Sequence, residues 1–427
     1  MREGWKEYKI DDVALVGDGA HASIKRQESG IMYLTSKNFD LNGLKLEKVD
    51  YISENDFMKY FNQNSKALTK PNYNDVLLSI IGSMGAPYVV KENDLFGLSS
   101  SVSILRPKQE IILPKYLYYW IKSEYFQKSI DSIKSGVAQS FLSLGMIKSL
   151  PCITPPLQTQ RKIASILSSY DDLIENNLKR IKLLEEKAQL TYEEWFVKMR
   201  FPGYETAVFD EVTGLPKGWG KTTIGEICKV SGGGTPSRSV DEYWEDGDIT
   251  WYSPTDLSKA NSLCVLDSSQ KITELGLKKS SAKLLNENSF MMTSRATIGL
   301  FALVNKPFTT NQGFINVTPI KEFEKEYLLY NFKYRIEEFK GHATGATFPE
   351  LSKSKFNALD IIWPNENSLK QFNKITSILH IQLFNLTNQN RVLKEARDIL
   401  LPRLMSGMID VENIVIQNKE PKELQNT

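Results

Sequence analysis

Two stretches, 212 residues apart, each carry an apolar residue at every seventh position, and this pattern constrains the fold more than any other feature of the chain. The first, RKIASILSSYDDLIENNLKRIKLLEEKAQLTYEEWF, sets Leu167, Ile174, Ile181, Ala188 and Trp195 in one row. A second row interleaves with it at Ile163, Tyr170, Asn177, Leu184 and Thr191. The second stretch, NKITSILHIQLFNLTNQNRVLKEARDILLPRLMSG, repeats the first row at Leu379, Leu386, Leu393 and Leu400, with Ile375, Gln382, Gln389 and Ala396 between. Alternating steps of four and three make each an a/d seam. A helix with a single apolar stripe must bury it against something, and each helix is the other's obvious partner. Asn177 and Gln389 occupy equivalent positions near the helix midpoints. In an antiparallel pair, equivalent residues face each other only at the centre, so the spacing predicts that these two amides meet.

The rest of the chain repeats as well. The fragment EGWKEYKIDDVALV matches LPKGWGKTTIGEICKV, pairing Trp5 with Trp219 and Val16 with Val230. GDGAHAS matches SGGGTPS, and IMYLTSKNF matches ITWYSPTDL. LLSIIGSMGAPYVV matches MMTSRATIGLFALV, pairing Gly85 with Gly299, and KYLYY matches EYLLY. The offset drifts only between 209 and 218, so one unit of about 210 residues is duplicated. Each copy reads as a mixed α/β globular region followed by a long helix. Short β-rich runs are broken by Gly82, Gly85 and Pro87, and Pro114 stands at a helix start. Pro155 and Pro156 precede the central helix, and Pro402 is expected to kink or stop the distal one. The resulting partition is a first domain over 1–156, a spacer helix over 157–202, a second domain over 203–366, a second spacer helix over 367–407 and a polar tail over 408–427 expected to fray.

Composition narrows the function classes. The chain has 427 residues, 41% of them hydrophobic and 11% aromatic, which describes a folded protein with ample core. No apolar run reaches the roughly 18 residues of a membrane span. The opening MREGWKEYKIDD has no apolar signal core. Cys152, Cys228 and Cys264 form no CxxC, which fits small buried hydrophobes in a reducing cytoplasm. The net charge of +2 is low for a stand-alone non-specific DNA binder, although residues 367–407 carry a local +4. GLPKGWGKTT misses a phosphate-binding loop by one position, where Leu215 replaces the required glycine. TPPL at 154–157 has neither the aromatic nor the glycine-rich cofactor loop of an amino-methyltransferase. His21, His342 and His380 show no metal spacing. Two copies of a fold without a catalytic set point to recognition rather than chemistry.

With these residues in view, the chain resembles the specificity subunit of type I restriction-modification enzymes along nearly its whole length. The resemblance rests on GGGTPSRSVDEYWEDGDITWYSPTDL, the TNQGF segment, TPPLQTQRKIASIL and LLPRLMSG, in that architecture of duplication and two helices. It implies an α+β protein: two similar mixed α/β target-recognition domains, joined by two long helices packed as an antiparallel coiled coil, with an internal pseudo-two-fold repeat. It further implies that each domain reads half of a split double-stranded DNA target. Two methyltransferase subunits would dock on the helices and methylate adenine with S-adenosylmethionine, which this chain would not bind. Restriction subunits would join them to cleave DNA. HASIKR in the first copy against TPSRSV in the second, and Ile80–Ile81 against Ser294–Arg295, imply an asymmetric target.

A helix of about 37 residues spans roughly 55 Å, on the order of 16 base pairs, so the pair could act as a ruler between half-sites. Candidate DNA contacts are polar or basic residues in matching loops, since arginine, asparagine and their like present the donors that read base edges. In the first copy these are His21, Ser23, Lys25, Arg26, Ser36, Lys37 and Asn38. In the second they are Thr235, Ser237, Arg238, Ser253, Thr255, Arg295 and Thr297, with Arg295 foremost because its counterpart is apolar. Two other readings compete: the recognition part of a fused methyltransferase-nuclease, which would bind S-adenosylmethionine itself, and a coiled-coil scaffold unrelated to DNA.

Overall fold

The computed structural model describes residues 2–41, 43–62, 68–136, 141–345 and 349–414; of the tail expected over 408–427, residues 415–427 therefore lie outside it. The chain forms two compact units, Met1–Asp172 with Leu393–Thr427, and Leu173–Val392. Both are built to one plan. In the first, a four-stranded antiparallel sheet runs in the order Ala14–Asp18, Val102–Pro107, Val76–Ser79, Pro87–Val89. The second repeats it with Cys228–Gly232, Phe314–Pro319, Phe290–Thr293 and Phe301–Leu303. The register repeats too: Val16 faces Leu105 in one, and Val230 faces Val317 in the other. A mixed three-stranded sheet follows in each, centred on Ile31–Leu34 and on Ile249–Tyr252. A two-stranded ribbon closes each unit, Lys6–Lys9 with Pro151–Thr154 and Gly220–Thr223 with Asp360–Trp363.

The strands Val76–Ser79 and Phe290–Thr293 are buried at every position, as expected of strands covered on both faces. A helix lies against each sheet system, Pro114–Lys122 in the first unit and Lys325–Tyr334 in the second. Its tyrosine does the same work twice: the Tyr116 hydroxyl donates to the Ile153 carbonyl, and the Tyr327 hydroxyl to that of Ile362. All three cysteines are free and buried, and burial pushes the Cys228 thiol up to about 12.

The long helices are Leu157–Tyr192 and Glu366–Met405. The first runs on into a single π-type turn, Glu193–Val197. That wider turn shifts the helical phase, so the consecutive Trp195 and Phe196 are both buried, in a cluster with Tyr192, Trp219, Tyr327 and Phe372. Pro402, expected to kink or stop the distal helix, does not stop it. It lies in the last turn, where only three further residues follow, and the end is closed by Gly407 N–H on the Leu404 carbonyl.

In each unit the helices run antiparallel. In the first, Ile163 and Leu167 share a core with Leu401, Leu404 and Met405. In the second, Ile181, Ala188 and Tyr192 share one with Leu379, Leu383 and Leu386. On the central helix Ile163, Leu167, Ile174, Asn177 and Ile181 are buried, with Tyr170 and Leu184 partly so. On the distal helix Leu379 and Leu386 are buried, and Leu393 and Leu400 partly so. The interleaved row differs from the expected one. Ile375 is 38% exposed and Gln389 is exposed, while Thr376, Leu383, Asn390 and Arg397 are buried one position later. The steps therefore read three-four instead of four-three. Arg397 is tolerated there because its guanidinium donates to Asp171 at 2.6 Å, and Asp171 also accepts from the Tyr119 hydroxyl at 2.6 Å.

The shift also reshapes the polar layer. Asn177 Nδ2 reaches Gln389 Oε1 at 3.4 Å, at the limit of a hydrogen bond, but its shorter and buried contact is Asn390 Oδ1 at 3.0 Å. Replacing one member should strand the other. Asn177→Leu should lower stability by about 1–3 kcal/mol, and the Asn177→Leu, Asn390→Leu double variant should recover most of that loss. Chemical or thermal melts of the four corners of this cycle check it, and purely additive losses would count against a coupled pair.

Candidate nucleic-acid interface

In each unit the loops that follow the central strands are tied together. In the first, Ala20 N–H donates to the Leu98 carbonyl at 2.8 Å and Ser36 N–H to Ser101 Oγ at 2.9 Å. The Ser83 hydroxyl lies 2.8 Å from the carbonyls of both Ser36 and Phe39. In the second, Gly234 N–H donates to the Thr310 carbonyl, Asn311 N–H to that of Tyr252, and Ser294 N–H to that of Gly313. Glycine is required where the loops cross. A Cβ on Gly19 would stand 2.2 Å from the Leu98 carbonyl oxygen, and one on the equivalent Gly233 would stand 2.1 Å from that of Thr310.

These ties gather the expected residues of each copy into one loop cluster, but not all are free to contact a ligand. In the first unit His21, Ser23, Lys25, Arg26 and Lys37 are exposed. His21 Nε2 lies 2.8 Å from Asp18 Oδ2. Ser36 and Asn38 are buried. Asn38 accepts from Thr35 N–H and donates to the carbonyls of Lys45 and Lys48, so its amide is spent on holding the loop. In the second unit Ser237, Arg238, Thr255, Arg295 and Thr297 are exposed, and Thr235 donates to Gln312 Oε1 at 2.6 Å. Ser253 caps the helix Pro254–Lys259, donating through both N–H and hydroxyl to Asp256. Burial opposes the Asp256 charge, yet hydrogen bonds from Ser269 and Ser253 outweigh it and hold the carboxyl below its ordinary range.

Arg295 sits on a turn with a matching one in the first unit. Gly82 adopts φ +68°, and Ala296, its counterpart, adopts φ +58°. Left-handed backbone costs a residue with a Cβ about 1–2 kcal/mol. The turn's geometry is thus retained in the second copy against a penalty. Its side chains are not retained. Arg295 Nε lies 2.7 Å from Glu350 Oε1, both about half exposed, whereas Ile81 bridges to Phe141, at 41% and 42% exposure. The partners Glu350 and Phe141 were not among the residues singled out by sequence, although both follow the aligned glycines of the repeat.

Two aromatic platforms were also missed. The Arg26 guanidinium carbon stands 3.9 Å from the centre of the Tyr33 ring. That of Arg238 stands 3.7 Å from Trp244 and 4.9 Å from Trp251. The alignment of IMYL with ITWY, which pairs Tyr33 with Trp251, carried this signal. Among the described residues no group of three or more His, Cys, Asp or Glu side chains could hold a metal ion, and no helix is long and apolar enough to cross a membrane.

Comparison with known proteins agrees with this duplicated architecture. The type I restriction modification DNA specificity domain matches residues 2–186 and again residues 216–394. The MjaIX type I restriction enzyme specificity subunit of Methanocaldococcus jannaschii is 28% identical over 435 residues, covering 96% of this chain and 94% of that one. The HindI specificity subunit of Haemophilus influenzae is 25% identical over 472 residues, covering 95% and 99%. In fold, the chain is like the crystal structure of the type I restriction-modification S subunit from M. genitalium, with a TM-score of 0.54 at 16% identity over 94% of this chain and 96% of that one. Matched twice and over most of its length, this chain belongs to the type I restriction-modification DNA specificity family.

Proposed function

We propose that this chain is the non-catalytic DNA-reading subunit of a type I restriction-modification complex, and that its two units read different halves of a bipartite, asymmetric target. One observation supports this above others. The same loop cluster is built twice on the same scaffold, with different side chains at matching positions: Ile81 against Arg295, and Phe141 against Glu350. Unlike groups on like frames suit unlike base sequences on a common duplex geometry. The contacts we favour are the exposed members of the expected set: His21, Ser23, Lys25, Arg26 and Lys37, and Ser237, Arg238, Thr255, Arg295 and Thr297. In this reading the helices set the spacing between half-sites.

The helices also carry an outward apolar series that suits methyltransferase docking. Leu183 and Leu190 are 63% and 54% exposed, seven residues apart on the central helix. Ile378 and Val392 are 53% and 48% exposed, two heptads apart on the part of the distal helix in the same unit. Apolar residues at heptad spacing on the water side form a second seam, suited to a partner's helices. Two methyltransferase subunits would use it, carrying S-adenosylmethionine and the adenine chemistry, with restriction subunits joining that assembly in the cytoplasm.

Exchanging residues 203–366 for the matching segment of another family member should change one half of the methylated target and leave the other. Sequencing of adenine methylation in cells carrying the hybrid and its partner reads this directly, and a change in both halves would refute independent reading. Leu190→Glu with Ile378→Glu should abolish co-purification with the methyltransferase while leaving the melting temperature within a few degrees, since both side chains are already exposed. Arg295→Ala should relax one target position at a cost of about 1–3 kcal/mol if it pairs with a guanine edge. Competition binding against single-base variants of the target checks this, and unaltered preference at every position would place Arg295 away from the bases.

A further inference from the structure

We propose that Arg26 and Arg238, which do not align in the repeat but reach matching strand positions, are phosphate anchors, one for each half-site, and that the residue across the strand pair from the matched ring sets the strength of each. The inference rests on the DNA-reading function above and assigns two of its contacts a role distinct from base reading.

Both anchors are built the same way. Tyr33 and Trp251 occupy matching places in the strands Ile31–Leu34 and Ile249–Tyr252, and both are buried, at 1% and 3% exposure. Across the antiparallel pair, Tyr33 faces Asp50 and Trp251 faces Gln270. Each arginine lies on its aromatic ring and is tied to that facing residue. Arg26 Nε donates to Asp50 Oδ2 at 3.1 Å, and a terminal nitrogen donates to the Ile24 carbonyl at 2.8 Å. Arg238 donates through a terminal nitrogen to Gln270 Oε1 at 2.8 Å. Its nearer platform, at 3.7 Å, is Trp244, which has no counterpart under Arg26 and is itself held by an indole N–H bond to the Ser237 carbonyl at 3.0 Å. Stacking fixes the guanidinium plane yet leaves its edge in water, since both arginines are exposed.

The sharing of this device between the units argues for phosphate. Side chains that read different bases should differ between the copies, as Ile81 and Arg295 do. A device present in both should serve what both half-sites have in common, which is the sugar-phosphate backbone. A planar fork of five N–H donors with few of them committed suits a phosphate's paired oxygens.

The two anchors are unequal. The Asp50 carboxylate offsets the Arg26 charge, whereas the neutral Gln270 leaves the Arg238 charge whole. Counterion release makes affinity fall with salt by about 0.9 in logarithmic slope for each phosphate neutralised. Arg238 should therefore carry close to a full unit of slope, and Arg26 less.

The test uses the chain assembled with its methyltransferase partner. Binding to its methylation target and to scrambled duplexes is measured across a salt series, beside melting temperatures. For Arg238→Ala we expect affinity to fall roughly tenfold on all duplexes alike, with the slope reduced by about one unit and the methylated sequence unchanged. Arg26→Ala should reduce the slope by less, and Asp50→Asn should increase it. Arg238→Lys should retain most of the slope, which separates lost charge from a damaged fold. A loss confined to one target position would show that Arg238 reads a base and would overturn the proposal, as would an unaltered slope. An unaltered slope in Asp50→Asn would overturn the inequality. If the unsubstituted complex itself prefers no sequence, the DNA-reading function fails rather than the anchors alone.

Discussion

The structure depends on the burial of two helical stripes that neither helix can satisfy alone. Each compact unit takes in part of both helices: 157–172 with 393–405 in one, 173–192 with 366–392 in the other. The helices are therefore core elements of the globular parts. Leu401, Leu404 and Met405, from the far end of the sequence, complete the core around Trp120 and Tyr116. Arg2 adds an ion pair to Asp410 at 2.6 Å, tying the start of the chain to the residues after the distal helix. In the second unit Trp219, the counterpart of Trp5, packs on Phe196 and Phe201.

Duplication preserved the frame and released the polar detail. Strand order, register and the tyrosine-to-carbonyl bonds recur in both units, because each closes a sheet or fills a core where few alternatives pack. Interior polar solutions diverged. Gln160 in the first unit accepts from Leu113 N–H and donates to the carbonyls of Ile111 and Pro155. Its counterpart in the repeat is Phe372, which meets Phe196 and Tyr330 edge-on instead. A satisfied amide network and an aromatic cluster are two ways to fill equivalent volume without an unpaired polar group. The loop cluster was freer still, since most of the side chains singled out there face solvent and are not constrained by the core.

The sequence by itself determined the duplication, the two seams, their antiparallel pairing and the polar break at Asn177, because periodicity and repetition are patterns within the chain. It also marked both loop clusters, through matched glycines and polar runs. Tertiary structure alone decided which of two adjacent rows the distal helix buries. Hydrophobicity favours Ile375 over Thr376 and offers no reason to bury Arg397, yet packing rotates the helix until Asp171 satisfies that arginine and Asn390 meets Asn177. The surroundings of the loop residues were decided in the same way. Asn38 is as polar as any base-reading amide, but three backbone partners consume it. Arg26 and Arg238 look like their neighbours in sequence and acquire their aromatic floors, Tyr33 for one and Trp244 with Trp251 for the other, only where the loops fold back over the paired strands. Such arrangements depend on how loops close over paired strands, and no periodicity in the chain encodes them.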